Sequence, residues 1–147
     1  MRKLGKAVLI TFLLFFPLVG IYLSWLHSHN VIQTQGMDFA AEVAPKILED
    51  WNYKPLYDYG TLTIKGTIEE ADFAEVKETW GEFKSIGEFM PDRSWIADRG
   101  DMRWHFAELE APVEFSEGKG ILHFTVARRT MAQKEWRIEE FEIVPVK

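Results

Sequence analysis

The feature that most constrains this chain is an uncharged, apolar run of 20 residues from Ala7 to Leu26. As an α-helix it would rise about 30 Å, which is the hydrocarbon thickness of a bilayer. Tyr22 and Trp25 lie at its far end, where amphipathic rings favour the membrane–water boundary. The run therefore predicts a transmembrane helix, and the side chains expected to anchor it are Leu9, Phe12, Leu13, Phe15, Phe16, Tyr22 and Trp25.

The charges around this run predict its orientation. Arg2, Lys3 and Lys6 all precede it, and positive residues favour the cytoplasmic side. We therefore expect residues 1–6 in the cytoplasm, residues 7–26 as a single-pass signal anchor in the inner (cytoplasmic) membrane, and the rest in the periplasm or outside.

A cleaved secretory signal peptide is the alternative to an anchor. Its apolar region is about 7–15 residues long and is followed by small residues at the cleavage site. The present run is longer, and the best site, Leu26-His27-Ser28, has a large Leu. We expect an uncleaved anchor, then a polar tether over residues 27–36 and a folded domain over residues 37–147.

The composition excludes several classes of function. Residues 1–30 carry a formal charge of +3 and the remainder −9, so the domain repels phosphate backbones and we expect no nucleic-acid partner. The absence of cysteine excludes disulfides and thiolate metal sites. Six Trp, eleven Phe and four Tyr are enough aromatic residues to build a core.

The first half of the domain shows helical periodicity. Apolar residues recur every four positions between Asp38 and Trp51, although Pro45 should bend or limit this helix. A turn or short helix follows over residues 52–59, and a short strand is expected over residues 61–65. Thr67 and Glu70 have the spacing of a capping box, and Gly87 suits the end of the helix that follows.

From Phe89 onward the period changes to two, as in β-strands. The alternation reverses its phase near Ala107, which predicts a bulge or bend, and slips again between Ile138 and Phe141. Residues 93–103 form a loop or hairpin, and turns are expected at residues 117–120 and 132–134. Helices followed by an antiparallel meander predict an α+β fold.

The strand VEFSEGKGILHFTV, a turn and the tryptophan strand KEWRIEEFEIV resemble the end of the cystatin-like, or nuclear-transport-factor-like, α+β roll. This resemblance covers about residues 37–147. It implies helices packed on a bent antiparallel sheet, with Trp136 and Ile138 in the core. The fold hosts enzymes, ligand carriers and assembly modules, so the resemblance leaves the function open.

Two histidines are candidates for acid–base chemistry. His105 and His123 lie on separate predicted strands and are expected to point to one face, near Asp98 or Asp101. The alternative is two partly exposed histidines without a catalytic role. No phosphate loop, dinucleotide fingerprint, nucleophile elbow or zinc-protease pattern accompanies them, and we expect no cofactor.

A ligand pocket is the other hypothesis, because aromatic residues cluster along the predicted strands. The expected ligand-binding set is Trp95, Trp104, Phe106, His105 and His123. The aromatic strip on these strands, which also contains Trp136, Phe89 and Phe124, has the hydrophobic core as its alternative role.

Two further groups have an ordinary interpretation. His27 and His29 are too few for a selective metal site, so no metal is expected there. Glu108, Glu110 and Glu114 are expected on one strand face, which is a solvated outer face rather than a cation site, and cross-strand pairing with Arg128 or Arg129 is one way to balance their charge.

The function that we expect is a non-enzymatic, membrane-anchored domain that mediates protein interaction or assembly at the cell envelope. Its partners would be the bilayer and another envelope protein or a second copy of itself. A binder of a small apolar ligand is the first alternative, and an acid–base enzyme using His105 and His123 is the second.

Overall fold

The computed structural model describes residues 2–129 and 135–146, with side chains from residue 18 onward. The fold is α+β, as predicted: helices come first and an antiparallel sheet of five strands follows. The elements are α1 (Arg2–Leu48), α2 (Tyr53–Tyr59), α3 (Leu62–Lys65), α4 (Glu70–Trp80), β1 (Phe83–Ile86), β2 (Met90–Arg99), β3 (Met102–Phe115), β4 (Lys119–Arg129) and β5 (Arg137–Pro145).

The chain divides into two compact units, Met1–Val31 and Ile32–Lys147. Helix α1 is continuous across this division, so residues 27–36, expected as a tether, are helical. Pro45 does not interrupt α1, because one missing backbone hydrogen bond is outweighed by the buried apolar stripe around it. Within the described part of the chain, no helix reaches the length and hydropathy of a candidate membrane span.

Strand β3 is the centre of the sheet, whose order is β1-β3-β4-β5. Its 14 residues are long enough for two strands to pair along the same edge. Strand β2 pairs with Met102–Glu110 and β1 pairs with Val113–Phe115. Strand β4 lies along the other side of β3 and β5 follows it, all antiparallel. The expected hairpin at residues 93–103 is formed by β2 and β3.

One face of the sheet, called the inner face here, packs against the second half of α1. Ala40, Val43, Ala44, Ile47 and Leu48 of α1 are fully buried in a cluster with the apolar residues of the inner face. Gly36 lies where a Cβ would be 3.1 Å from the Ala107 and Val126 side chains. The small residues of α1 therefore allow close approach of helix and sheet.

The second long helix begins and ends at other residues than expected. Glu69 and Asp72 form the capping box of α4, rather than Thr67 and Glu70. The helix ends at Gly81, whose φ of 74° is in the left-handed region that glycine tolerates, and not at Gly87. Trp51 also has positive φ and donates its indole N–H to the Gly81 carbonyl at 2.7 Å.

One expectation about the strands is wrong and another is confirmed. The segment expected as a strand at residues 61–65 instead forms helix α3, preceded by Thr61, and Gly60 forms a bridge with Ile138 of β5. Near Ala107 the register of β3 with β4 is unbroken, and the nearest irregularity lies in β2, between Pro91 and Arg93, opposite Leu109 and Glu108. The slip in β5 is a true bulge that leaves Glu139 without a register partner in β4. The turn expected at residues 132–134 lies outside the described residues.

Candidate functional site

The register of β3 and β4 separates the two candidate histidines. His105 lies opposite Arg128, whereas His123 lies opposite Glu110. Since side chains alternate along a strand, His105 and Glu110 belong to different faces, and so do the two histidines. His105 is on the inner face and His123 on the other, the outer face. The prediction that they share a face is wrong, and no acid–base pair forms between them.

His105 lies in a buried, positively charged environment. It is 6% exposed, and burial lowers the pKa of its imidazole below the usual 6.5, as do the charges of Arg128 and Arg103. Its Nδ1 atom has no hydrogen-bond partner within the described residues. Arg128, 7% exposed, donates to Gln35 of α1 at 2.5 Å and lies 4.8 Å above the Trp136 ring. The neutral imidazole is therefore the favoured form.

Contacts between carboxylates and basic side chains cross the outer face of the sheet. Glu108 forms an ion pair with Arg93 and Glu114 forms one with Lys119 at 3.4 Å, and a Glu110 oxygen lies 3.2 Å from Nδ1 of His123. The three glutamates do share a face, but their expected pairing with Arg128 or Arg129 is wrong. Arg128 points to the inner face, and Arg129 lies opposite Trp104 rather than beside a glutamate.

An aromatic and cationic row covers the outer face between β2 and β5. Trp95 stacks on Phe106 with 5.0 Å between ring centroids and 7° between planes. The Arg99 guanidinium lies 4.8 Å from the Phe106 ring and reaches Glu139 at 2.7 Å. Phe106 is buried beneath these side chains although it faces away from α1.

This row borders a groove of about 700 Å³ between α3, the β2–β3 hairpin and the ends of β4 and β5. We call it the cationic groove. Four of its lining side chains are positive and one is acidic; the lining is Gly60, Thr61, Leu62, Thr63, Lys65, Arg99, Met102, Trp104, Arg129, Glu135 and Arg137. A concentration of positive charge on so acidic a domain marks this groove as the candidate site.

The cations of the groove differ in their partners. Arg137 is paired with Glu135 at 3.0 Å and donates to the Asp58 carbonyl, and Arg99 is paired with Glu139. The Lys65 ammonium lies 4.6 Å from the Tyr57 ring. Arg129 lies 5.8 Å from the Trp104 ring, and it has no ion pair with any described carboxylate. Lys65 likewise has no ion pair with a described carboxylate. Of these two cations, Arg129 has the planar set of N–H donors that fits a carboxylate through two hydrogen bonds, so it is the one better suited to receive an anion.

The expected ligand-binding residues are only partly brought together. Trp95, Trp104, Phe106 and His123 share the outer face and His105 is on the inner face. Of these five, Trp104 lines the cationic groove. Trp136 and Phe124 are core residues, and Phe89 packs edge-on against Phe124.

A smaller hollow of about 250 Å³ lies between α4 and β5. Aromatic rings line it, among them Trp51, Phe73 and Phe141. This volume is below the range of about 300–1,000 Å³ that is usual for ligand sites. The hollow is therefore a weaker candidate than the cationic groove.

The remaining candidates lie in the unit of residues 1–31. The side chains of Leu9, Phe12, Leu13, Phe15 and Phe16 are outside the described ones. Tyr22 and Trp25 are exposed on α1 and contact each other, with ring centroids 6.3 Å apart. The His29 ring lies 4.3 Å from that of Trp25, and no metal-binding group of three side chains is found among the described residues.

Sequence reasoning did not identify the cations of the groove. Arg99, Arg129 and Arg137 come from three different strands and Lys65 from a helix that was expected to be a strand. The signal that was available is local: Arg128 and Arg129 are adjacent, so in a strand one of them must face away from the core.

Comparisons with protein-family models, with curated proteins and with solved structures give no match to this chain.

Proposed function

We propose that this chain is a membrane-anchored, non-enzymatic domain that recognises another protein of the cell envelope. The observation that carries the proposal is the cationic groove, with Trp104 and Arg129, which has no ion pair with a described carboxylate, in its lining. Tryptophan and arginine are the residues most enriched at the energetic centres of protein interfaces. The groove therefore suits recognition of a partner.

The sequence and the exposure of α1 support the membrane anchor. The uncharged run from Ala7 to Leu26 matches a bilayer in length. Its described side chains are exposed on successive positions around the helix: Leu18, Val19, Ile21, Tyr22, Leu23, Trp25 and Leu26. Apolar residues on all sides of a helix favour an apolar surrounding, and the lipid core of the inner membrane supplies one.

Two observations support a role in binding rather than catalysis. His105 and His123 are on opposite faces of the sheet, so the pair proposed for acid–base chemistry is not assembled. The polar residues of the outer face are paired with each other across strands, as in a recognition surface with fixed side chains.

We further propose that the domain is a roll of the cystatin-like class. Its antiparallel β2–β3–β4–β5 meander and the packing of α1 on the inner face are consistent with that architecture. Such rolls serve varied functions, so this fold alone does not favour a particular partner.

Membrane fractionation tests the anchor. The full-length chain should stay in the membrane pellet after alkaline carbonate extraction, and a reporter at the C-terminus should be active outside the cytoplasm. A variant with Leu13 and Phe16 both changed to Arg places two charges in the run, each costing about 2.5–3.5 kcal/mol at the helix centre. It should be lost from the pellet, whereas changing the same residues to Ala should not release it. Extraction of the unaltered chain by carbonate would refute the anchor.

Site-specific crosslinking tests the partner. A photoreactive residue in place of Leu62, which is 90% exposed at the groove, should crosslink to one discrete protein in the native membrane. The same residue in place of Glu117, in the β3–β4 turn, is the control and should not. Equal crosslinking from both positions, or none from Leu62, would count against a recognition role for the groove.

A further inference from the structure

We infer that the cationic groove binds an acidic peptide segment that also carries an apolar side chain. This inference rests on the proposed function, because it names the chemistry of the partner. It draws on a groove cation that has no described carboxylate partner, on the exposed apolar side chains of the groove lining and on the charge of the rest of the domain.

The cation that carries the inference is Arg129, because Lys65, which also has no ion pair with a described carboxylate, lacks a planar guanidinium. Its guanidinium is half-buried beside Trp104 and has no carboxylate partner among the described residues. A guanidinium offers a planar set of N–H donors that fits a carboxylate through two parallel hydrogen bonds. Its cation–π contact with the Trp104 indole limits the side chain's freedom, so less entropy is lost when a ligand binds.

Neighbouring ion pairs fix the walls of the groove. Glu139 holds Arg99 at 2.7 Å and Glu135 holds Arg137 at 3.0 Å. These arginines keep further N–H donors while their positions are set by their own carboxylates. A segment with two acidic residues can thus contact Arg129 directly and gain from the positive potential of the walls.

The same groove also has an apolar part. Met102 is 42% exposed and Leu62 is 90% exposed, and both line the groove together with Trp104. An aliphatic or aromatic side chain that covers them removes apolar area from water, which favours binding. A purely ionic ligand leaves this area exposed.

The charge of the whole domain selects a peptide over an anionic surface. Beyond residue 30 the chain carries −9, so an anionic bilayer or a nucleic acid would be repelled over most of its extent. A short segment enters the groove and meets chiefly the local positive charge, because repulsion from more distant carboxylates is screened beyond about 8 Å at physiological salt.

Fluorescence anisotropy on the full-length chain in phosphatidylcholine nanodiscs tests this inference. The probe is a labelled ten-residue peptide that alternates Glu and Leu, and its control replaces every Glu by Gln. Empty nanodiscs give the background. We expect saturable binding of the Glu peptide that is about tenfold tighter than that of the Gln peptide, since a charged hydrogen bond contributes on this scale.

Three variants locate the binding. Arg129→Gln should weaken the Glu peptide about tenfold, and Arg129→Lys should recover part of the loss because it keeps the charge. Arg93→Gln is the matched control: Arg93 also stacks on a tryptophan, Trp95 at 4.9 Å, but has Glu108 as its own partner. It should leave the affinity unchanged, and melting temperatures establish that all three variants fold.

Several outcomes would overturn the inference. Three of them are equal binding of the Glu and Gln peptides, no binding to the unaltered chain, and no effect of Arg129→Gln in a folded protein. The fourth is full displacement of the peptide by hexanoate at a concentration equal to the peptide's dissociation constant, which would identify a small carboxylate as the ligand. If these occur while Leu62 still crosslinks to one envelope protein, the proposed function stands and only the chemistry of the partner is wrong.

Discussion

Arg99 and Glu139 connect β2 and β5, two strands that do not pair with each other, through a hydrogen bond of 2.7 Å between Nη2 and Oε1. They are 40 residues apart in the chain. The bulge in β5 makes this contact possible, because Glu139 is the extra residue and is free of the usual alternation. A single inserted residue therefore supplies the carboxylate that positions one wall of the groove.

The two partners of this ion pair should respond differently to substitution. The Glu139 side chain is 10% exposed, so Arg99→Gln leaves a nearly buried carboxylate unpaired and should lower the free energy of unfolding by about 2 kcal/mol. Glu139→Gln leaves a half-exposed guanidinium that water can solvate, and should cost about 1 kcal/mol or less. Urea denaturation measures both.

The exposed pair of Lys54 and Asp58 on α2 is the control for this comparison. Replacing either residue by its neutral counterpart should change stability by about 0.5 kcal/mol at most. Equal effects of Arg99→Gln and Glu139→Gln would show that the burial of Glu139 does not govern the pair.

Acidification should destabilise the domain through His105. Its folded-state pKa is lowered below 6.5 by burial and by Arg128 and Arg103. The unfolded chain therefore binds the proton more readily than the folded chain does. Above about pH 6.5 the neutral imidazole contributes its full share to stability, and this share is lost as the pH falls from 6.5 through the folded-state pKa. Denaturation curves between pH 7.5 and 5 should show this decline.

His105→Gln should flatten that part of the pH profile, because glutamine does not titrate. His123→Gln, on the outer face, is the control and should leave the contribution of His105 in place. A decline of the same size in His105→Gln and in the unaltered chain would exclude His105 as its source.

Enlarging Gly36 should disturb the packing of α1 on the inner face. A Cβ there already meets Ala107 and Val126 at 3.1 Å, and the two further methyl groups of Gly36→Val have no room. We expect a loss of about 1–3 kcal/mol, which is typical of overpacking. Gly118→Val, at a position with nothing within 4 Å of the added Cβ, should cost about 0.5 kcal/mol or less. Thermal unfolding followed by circular dichroism compares the two variants.

The indole hydrogen bond of Trp51 should contribute to the junction between α1 and α4. Trp51→Phe keeps an aromatic ring against Phe115 but leaves the Gly81 carbonyl without its donor. Trp80→Phe removes the same atoms from a ring that also packs on Phe115 but makes no side-chain hydrogen bond to a described residue. We expect Trp51→Phe to cost about 1 kcal/mol more in urea denaturation. An equal loss of stability in the two variants would indicate that it comes from packing and not from the indole hydrogen bond.

Sequence periodicity was sufficient to predict β3, β4, β5 and the slip in β5, but it assigned the residues of β1 to a helix and most of β2 to a loop or hairpin. It failed at residues 61–65, because Leu62 and Ile64 suit a strand or a helical turn equally in so short a segment. It also missed that α1 continues through residues 27–36. This segment is mostly polar and shows no apolar periodicity, although Ile32 is buried and Gly36 is in close contact with the sheet.

The candidate site was less accessible to prediction than the fold. Trp104 could be predicted because it is part of a strip of aromatic residues on the expected strands. The groove could not, because its cations come from separate elements that the strand register brings together. Likewise, the faces of His105 and His123 follow from which residues lie opposite Arg128 and Glu110. A shift of one position would have reversed either assignment.

The bridge between Gly60 and Ile138 has a consequence for the order of folding. Strands β2, β3 and β4 pair with their sequence neighbours, so their hairpins close short loops and should form early. Docking of the α2–α3 segment on β5 joins distant positions, such as the Asp58 carbonyl and Arg137, which are 79 residues apart. The loop-closure entropy of that step is larger. The cationic groove, which lies across this junction, should therefore be completed late in folding.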